Sequence, residues 1–149
     1  MDLNLPSFDC LLSRGDDGVT RIYDRLRRKS VALTPEEWVR QHFVNFLVSE
    51  LGYPSGLMAN EVSIKLNRTA RRCDTIIYSR EGKPLAIVEY KAPTITITQS
   101  VFDQIARYNS VIGAPYLIVS NGLTHYCCRF DSNAQSYTFL REIPSYAEL

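Results

Sequence analysis

Two short apolar runs constrain the fold more than anything else in the chain: Asp74-Thr75-Ile76-Ile77-Tyr78 and Leu85-Ala86-Ile87-Val88-Glu89-Tyr90-Lys91. Both are rich in β-branched and aromatic residues, and Ser79-Arg80-Glu81-Gly82-Lys83-Pro84 between them is turn-like. They read as two central strands, apolar on both faces. Strand side chains alternate, so Glu89 and Lys91 share a face while Tyr90 takes the other. If the strands pair as a hairpin, Asp74 lies beside Glu89 and Lys91. Two carboxylates and an ammonium then converge at the end of two buried strands. Two hard oxygen donors for a divalent cation, with a lysine alongside, suit metal-assisted phosphodiester hydrolysis. A salt bridge at a sheet edge would explain the pairing of charges. It would not explain why three of them meet beneath a basic segment, since charges in apolar runs are costly unless paired or coordinating.

The chain of 149 residues is long enough for one domain with a real core. Its 45% hydrophobic and 22% charged content argues against disorder. The formal net charge of +1 gives no general attraction to a polyanion, so a nucleic-acid surface must come from local clustering. Two clusters exist: Arg25, Arg27, Arg28 and Lys29, then Lys65, Arg68, Arg71 and Arg72. A basic cluster is by default a solvated face, but the second runs straight into Asp74. Cys10, Cys73, Cys127 and Cys128 form no Cys-x-x-Cys pair, and His42 and His125 lack the spacing of a zinc site. The first residues do not read as a signal peptide, and no apolar run approaches the ~18 residues of a membrane span. The expectation is a reduced, soluble, cytoplasmic domain with no membrane partner.

Residues 1–20 read as a loose lead-in and 21–149 as the folded domain. Short strands are expected near Ile22 and Tyr23 and over Ser30-Val31-Ala32-Leu33. Thr34-Pro35-Glu36-Glu37 starts a helix, with Thr as cap, Pro at the first position and Glu37 three residues on. That helix should reach about Leu51 and stop at Gly52. Val39, Phe43, Phe46, Leu47 and Leu51 form its apolar face, and at ~100° per residue Glu36 falls at the centre of that face, with Glu37 at its edge. Glu36 is then either an acid aimed toward the core or a partly exposed first-turn acid complementing the helix dipole. A strand is expected over Glu61–Leu66, a second helix over Ser100–Ile112, and a strand over Tyr116–Val119. The second helix carries Val101, Ile105, Tyr108 and Ile112 as its stripe. Asn121-Gly122 reads as a two-residue hairpin turn into Thr124–Phe130, with a last strand near Ser136–Leu140. A helix between Lys91 and Tyr116 allows a crossover, which makes its flanking strands parallel. The fold class is therefore α/β: a mixed central sheet flanked by helices.

With Asp on the second strand of that core and Glu-x-Lys on the third, the order resembles the PD-(D/E)XK nuclease superfamily. The resemblance implies a restriction-endonuclease-like αβββαβ core with extra C-terminal strands. It implies that Asp74 and Glu89 bind Mg²⁺ or Mn²⁺ and that Lys91 positions or activates the attacking water. Cys73 stands where the superfamily's Pro usually precedes the Asp. A narrower likeness covers roughly residues 20 to 130. Pro35-Glu36-Glu37-Trp38-Val39-Arg40-Gln41, Gly52-Tyr53-Pro54, Arg72-Cys73-Asp74, Glu89-Tyr90-Lys91-Ala92-Pro93 and Ser120-Asn121-Gly122 resemble the N-terminal nuclease domain of type I restriction enzyme R subunits. Gln104-Ile105-Ala106-Arg107-Tyr108 is similar to the Gln-x-x-x-Tyr motif of that branch, which implies that Gln104 and Tyr108 lie near the active site and help hold DNA. The ATP-driven translocase of those subunits has no counterpart here, and no Gly-x-x-x-x-Gly-Lys-Ser/Thr occurs, so an ATP site is not expected.

These readings converge on a metal-dependent DNA endonuclease without its motor. Asp74 and Glu89 hold the metal, Lys91 acts on the water, Glu36 joins as a further carboxylate directly or through water, with Glu37 the alternative site acid, and Gln104, Arg68, Arg71 and Arg72 meet the backbone. Other restriction-modification subunits or a separate motor protein are the expected partners, and double-strand cleavage would require a homodimer or two encounters. The alternative is a non-catalytic module of the same fold that binds nucleic acid or a partner protein. RNA as substrate is a third reading.

Overall fold

The computed structural model describes residues 2–149. Two antiparallel-rich sheets organise it. The smaller holds β1 (Leu12–Arg14), β2 (Thr20–Asp24) and β3 (Lys29–Ala32) in that order, all antiparallel. The larger holds six strands in sequence order: β4 (Met58–Leu66), β5 (Thr69–Tyr78), β6 (Pro84–Tyr90), β7 (Tyr116–Ser120), β8 (His125–Asp131) and β9 (Ser136–Leu140). Only β6 and β7 run parallel, from Ala86–Tyr116 to Tyr90–Ser120, and the helix between them makes the expected crossover.

The first helix, α1 (Pro35–Ser49), starts as its sequence dictates. The Thr34 hydroxyl accepts the Glu37 amide at 3.1 Å, and Pro35 begins the helix. The chain leaves through Gly52 at φ +71°, with the Tyr53 amide donating to the Leu47 carbonyl at 3.0 Å. The second helix, α2 (Gln99–Ile112), ends at Gly113 with φ +74°. There the Asn109 side chain clamps the exit, donating to the Ala114 carbonyl and accepting its amide.

The helices cover opposite faces of the larger sheet. Val39, Phe43 and Leu47 of α1 pack on Ile77, Val88, Tyr90 and Ile118. Phe102 and Ile105 of α2 pack on Ile76, Ile87, Leu117 and Val119. Successive residues of β5, β6 and β7 thus alternate between two apolar clusters, which is why these strands read as unbroken apolar runs.

Three expectations are amended. The lead-in of residues 1–20 contains β1, and its start is fastened: Leu3 and Leu5 pack against the α1 cluster, and the Asn4 amide donates to the Gly122 carbonyl at 2.7 Å. The β7–β8 connection is a four-residue loop, closed by the Asn121 side chain accepting the Leu123 and Thr124 amides. Glu36 does not face the core: it is exposed, and Glu37 is the buried acid. No helix among the described residues is long and apolar enough to cross a membrane.

Candidate active site

Asp74 sits where two ladders lapse. Between β4 and β5 the pairs Asn60–Thr75 and Val62–Cys73 form, while Glu61 and Asp74 between them are skipped. Glu61 has φ +59° there. Between β5 and β6 the regular pairing stops at Thr75–Val88. One step beyond, the Asp74 carboxylate instead of a backbone carbonyl accepts the Tyr90 amide at 2.9 Å. The Asp74 carbonyl accepts Arg40 Nη1 at 3.0 Å. Backbone groups that a continuous ladder would satisfy are satisfied by side chains, so the sheet opens without leaving them unpaired.

Into that opening project the other two residues. Glu89 is half-buried and its carboxyl group is a hydrogen-bond neighbour of Asp74. Burial and the adjacent Asp74 charge push Glu89 up to about 8, against the pull of Lys91. Burial also raises Asp74, against the Tyr90 amide and the Arg40 charge. Two carboxyls this close resist double ionisation, so the pair favours a shared proton or a cation between its oxygens. Lys91 follows on the same side of the strand by alternation, its amide donating to the Ser120 carbonyl at 2.9 Å. Among the described residues its ammonium makes no ion pair or hydrogen bond.

A cleft of about 530 Å³ opens over Asp74, Glu89 and Lys91, with Glu36, Arg40, Glu61 and Arg72 in its walls. Beneath it runs a buried polar network. Glu37 accepts from Arg27 at 2.7 Å, from Arg40 at 2.7 and 2.9 Å, and from Gln41 at 2.9 Å. Burial works against its charge, and these donors outweigh it, holding Glu37 below the usual carboxylate range. Arg40 also reaches Glu61 at 2.8 Å, and Arg27 pairs with the fully buried Asp24. Asn60 donates to Asp24 at 2.9 Å, Thr75 to Asn60 at 2.6 Å, and the Thr75 and Tyr90 hydroxyls meet at 2.9 Å. The smaller sheet, α1 and three strands of the larger sheet are thereby tied together under Asp74. Among the described residues every buried side-chain nitrogen and oxygen has a partner.

The structure brings Asp74, Glu89 and Lys91 together, with Glu36 exposed at the rim and Arg72 in the wall. It does not bring Gln104 or Tyr108 into the cleft: Gln104 is exposed on α2, and Tyr108 is buried. Arg68 and Arg71 are exposed on the β4–β5 hairpin outside the cleft wall. Arg40, Glu61, Asp24 and Asn60 were not singled out as site residues from the sequence. A charged residue in a helix reads as surface, and only the pairing of Arg40 with Glu37 one turn earlier hints otherwise.

The donor set fits a hard divalent cation. Two carboxylates are available, since Arg40 occupies Glu61 and the Arg27–Arg40–Gln41 donors occupy Glu37. Among the described residues no three His, Cys, Asp or Glu side chains converge. Two protein oxygens suit an ion such as Mg²⁺ that keeps most of its water.

The six-stranded mixed sheet with a helix on each face defines the class, a mixed α/β domain compatible with a restriction-endonuclease-like fold. Residues 35–144 match the family model for the N terminus of type I restriction enzyme R proteins, and the chain belongs to that family. A solved fragment assigned as an HsdR subunit of a type I restriction enzyme from Vibrio vulnificus YJ016 is similar, with a TM-score of 0.56 and 21% identity. The match covers 80% of this chain and 25% of that one, and at this identity it bears on the fold alone. No curated protein matches the chain.

Proposed function

We propose that this domain is a metal-dependent DNA endonuclease, and one observation carries the reading. The Asp74–Glu89 carboxyl pair stands at the parted end of β5 and β6 with Lys91 beside it, inside a cleft. Asp74 and Glu89 would hold Mg²⁺ or Mn²⁺, which when bound supplies a Lewis acid at the scissile phosphate. The Tyr90 amide keeps the Asp74 carboxylate oriented. Lys91 orients the attacking water and balances charge growing on the phosphoryl oxygens. Water oxygen bonds to phosphorus and gives up a proton to solvent, the bond to the leaving sugar oxygen breaks, and that oxygen takes up a proton from solvent. Glu36, exposed at the rim, would act on a bound ion through water. Gln104, exposed on α2, is assigned to DNA contact outside the cleft, and the buried Tyr108 to packing.

Phosphate contacts carry no sequence information, so little intrinsic specificity is expected. Membership of the R-protein N-terminal family makes other restriction-modification subunits or a motor protein natural partners in delivering DNA. The test is conversion of supercoiled DNA to nicked or linear forms with Mg²⁺, Mn²⁺ or EDTA. Wild type should cleave only with metal, and Lys91→Ala should retain DNA binding without cleavage. Metal-dependent cleavage by the variant would remove Lys91 from the mechanism. Folded wild type that binds DNA and never cleaves would point to the binding module instead.

A further inference from the structure

Beyond Asp74 the β4–β5 hairpin leaves the sheet as a two-stranded ribbon, because β6 pairs with β5 only from Thr75 onward. Five pairs, from Val62–Cys73 to Leu66–Thr69, hold the ribbon together. Its faces are exchanged relative to the sheet. Asn60 and Thr75 bond each other on the α1 side, where Thr75 meets the Tyr90 hydroxyl. Strict alternation would put Val62 and Cys73 on that side too, yet both pack in the α2 cluster. The strands therefore rotate at the skipped Glu61–Asp74 step, where Glu61 takes its positive φ.

The rotation decides which side chains face the cleft. Arg72 pairs with Ser63 and Lys65 with Ala70, so these four share a face. All four are exposed, and Arg72 lines the cleft. Arg71 pairs with half-buried Ile64 on the opposite face. At the tip, Asn67 and Arg68 form a two-residue turn with φ +51° and +67°. That geometry favours Asn followed by Gly, and an arginine there is strained. Strain held at an exposed arginine is a pointer to binding.

Resting on the nuclease reading, we infer that this ribbon is a duplex-DNA arm, laying Lys65 and Arg72, with Arg68 at its tip, along the phosphates leading into the cleft. Two features select a duplex over a single strand. The cationic face carries small Ser63 and Ala70 between its charges and no aromatic side chain on which unpaired bases would stack. A two-stranded ribbon also has the width that the major groove of B-DNA accepts.

The test measures binding of the full chain to duplex and single-stranded DNA of equal length across a salt series, without divalent metal, beside metal-dependent cleavage. Lys65→Ala/Arg72→Ala should bind duplex more weakly, its salt slope shallower by about 2 on logarithmic axes, near 0.9 per lost phosphate contact. Arg80→Ala/Lys83→Ala removes equal charge from the turn at the other end of β5, and should bind as wild type. Arg68→Gly should melt higher than wild type and bind duplex more weakly, a combination that loss of folding cannot produce. Equal loss in the Arg80/Lys83 variant, or a preference for single strands, would overturn the arm. Undiminished duplex binding by Lys65→Ala/Arg72→Ala in a chain that still cleaves would overturn the arm and leave the nuclease standing. Wild type that neither binds nor cleaves DNA would bring down both.

Discussion

Glu89 shows most directly what one residue contributes. Its carboxyl ordinarily titrates near 4.5, and in the fold burial and Asp74 raise it to about 8. Between those values the folded chain holds a proton that the unfolded chain has released. Stability is therefore full below the ordinary value and is lost as pH rises through the folded one. Asp74 shifts in the same direction and adds to the slope. Glu89→Gln, neutral and similar in shape, should melt above wild type at about pH 9 in the absence of divalent ions and beside it at about pH 4. Equal melting at both would mean that the carboxyl pair is unstrained. Asp74, Glu89 and Lys91 were legible because charges inside apolar β-branched runs are anomalous. Glu36 stayed open between core and solvent, and Glu37 stood only at the edge of the apolar face, because the helical wheel was centred on apolar residues alone, whereas α1 also buries Arg40 and Gln41, whose donors draw Glu37 inward.

At the level of elements, α1 is a helix with two buried sides, one of them polar. Arg40 joins that polar side to the sheet through Glu37, Glu61 and the Asp74 carbonyl. Arg40→Ala takes two hydrogen bonds from buried Glu37, one from Glu61 and the Arg40 donor from the Asp74 carbonyl, and should destabilise the chain by about 3–5 kcal/mol in denaturant titrations. A loss below ~1 kcal/mol would place the ion pairs in the ordinary surface class. The helices and the larger sheet were readable because caps, glycine exits and apolar periodicity all agree. The Glu61–Asp74 rotation was not, since no glycine marks it and β4 alternates regularly in sequence. Leu12-Ser13-Arg14 was missed as a strand because all three residues are exposed, so nothing in its pattern records burial.

Across the whole molecule, the N-terminal segment and the β7–β8 loop are fastened to each other. A Cβ on Gly122 would stand 2.7 Å from Leu3 Cδ2 and 3.1 Å from Val39 Cγ2, at a φ of +85°. The Asn4 carbonyl is also bonded by His125 Nε2 at 3.0 Å. Gly122→Ala should lower stability by about 1–3 kcal/mol and speed proteolysis near residue 5. Unchanged proteolysis would mean that Leu3 is not what holds the segment. The network beneath the cleft is a larger fastening, and it has a consequence for descent. Arg27 serves Asp24 and Glu37, and Arg40 serves Glu37 and Glu61, so each exchange of one member takes a charged partner from at least one other. Single-step drift is costly at these positions. Among relatives the set should be inherited whole or replaced whole, and a lineage that has lost Arg40 should have lost Glu37 with it.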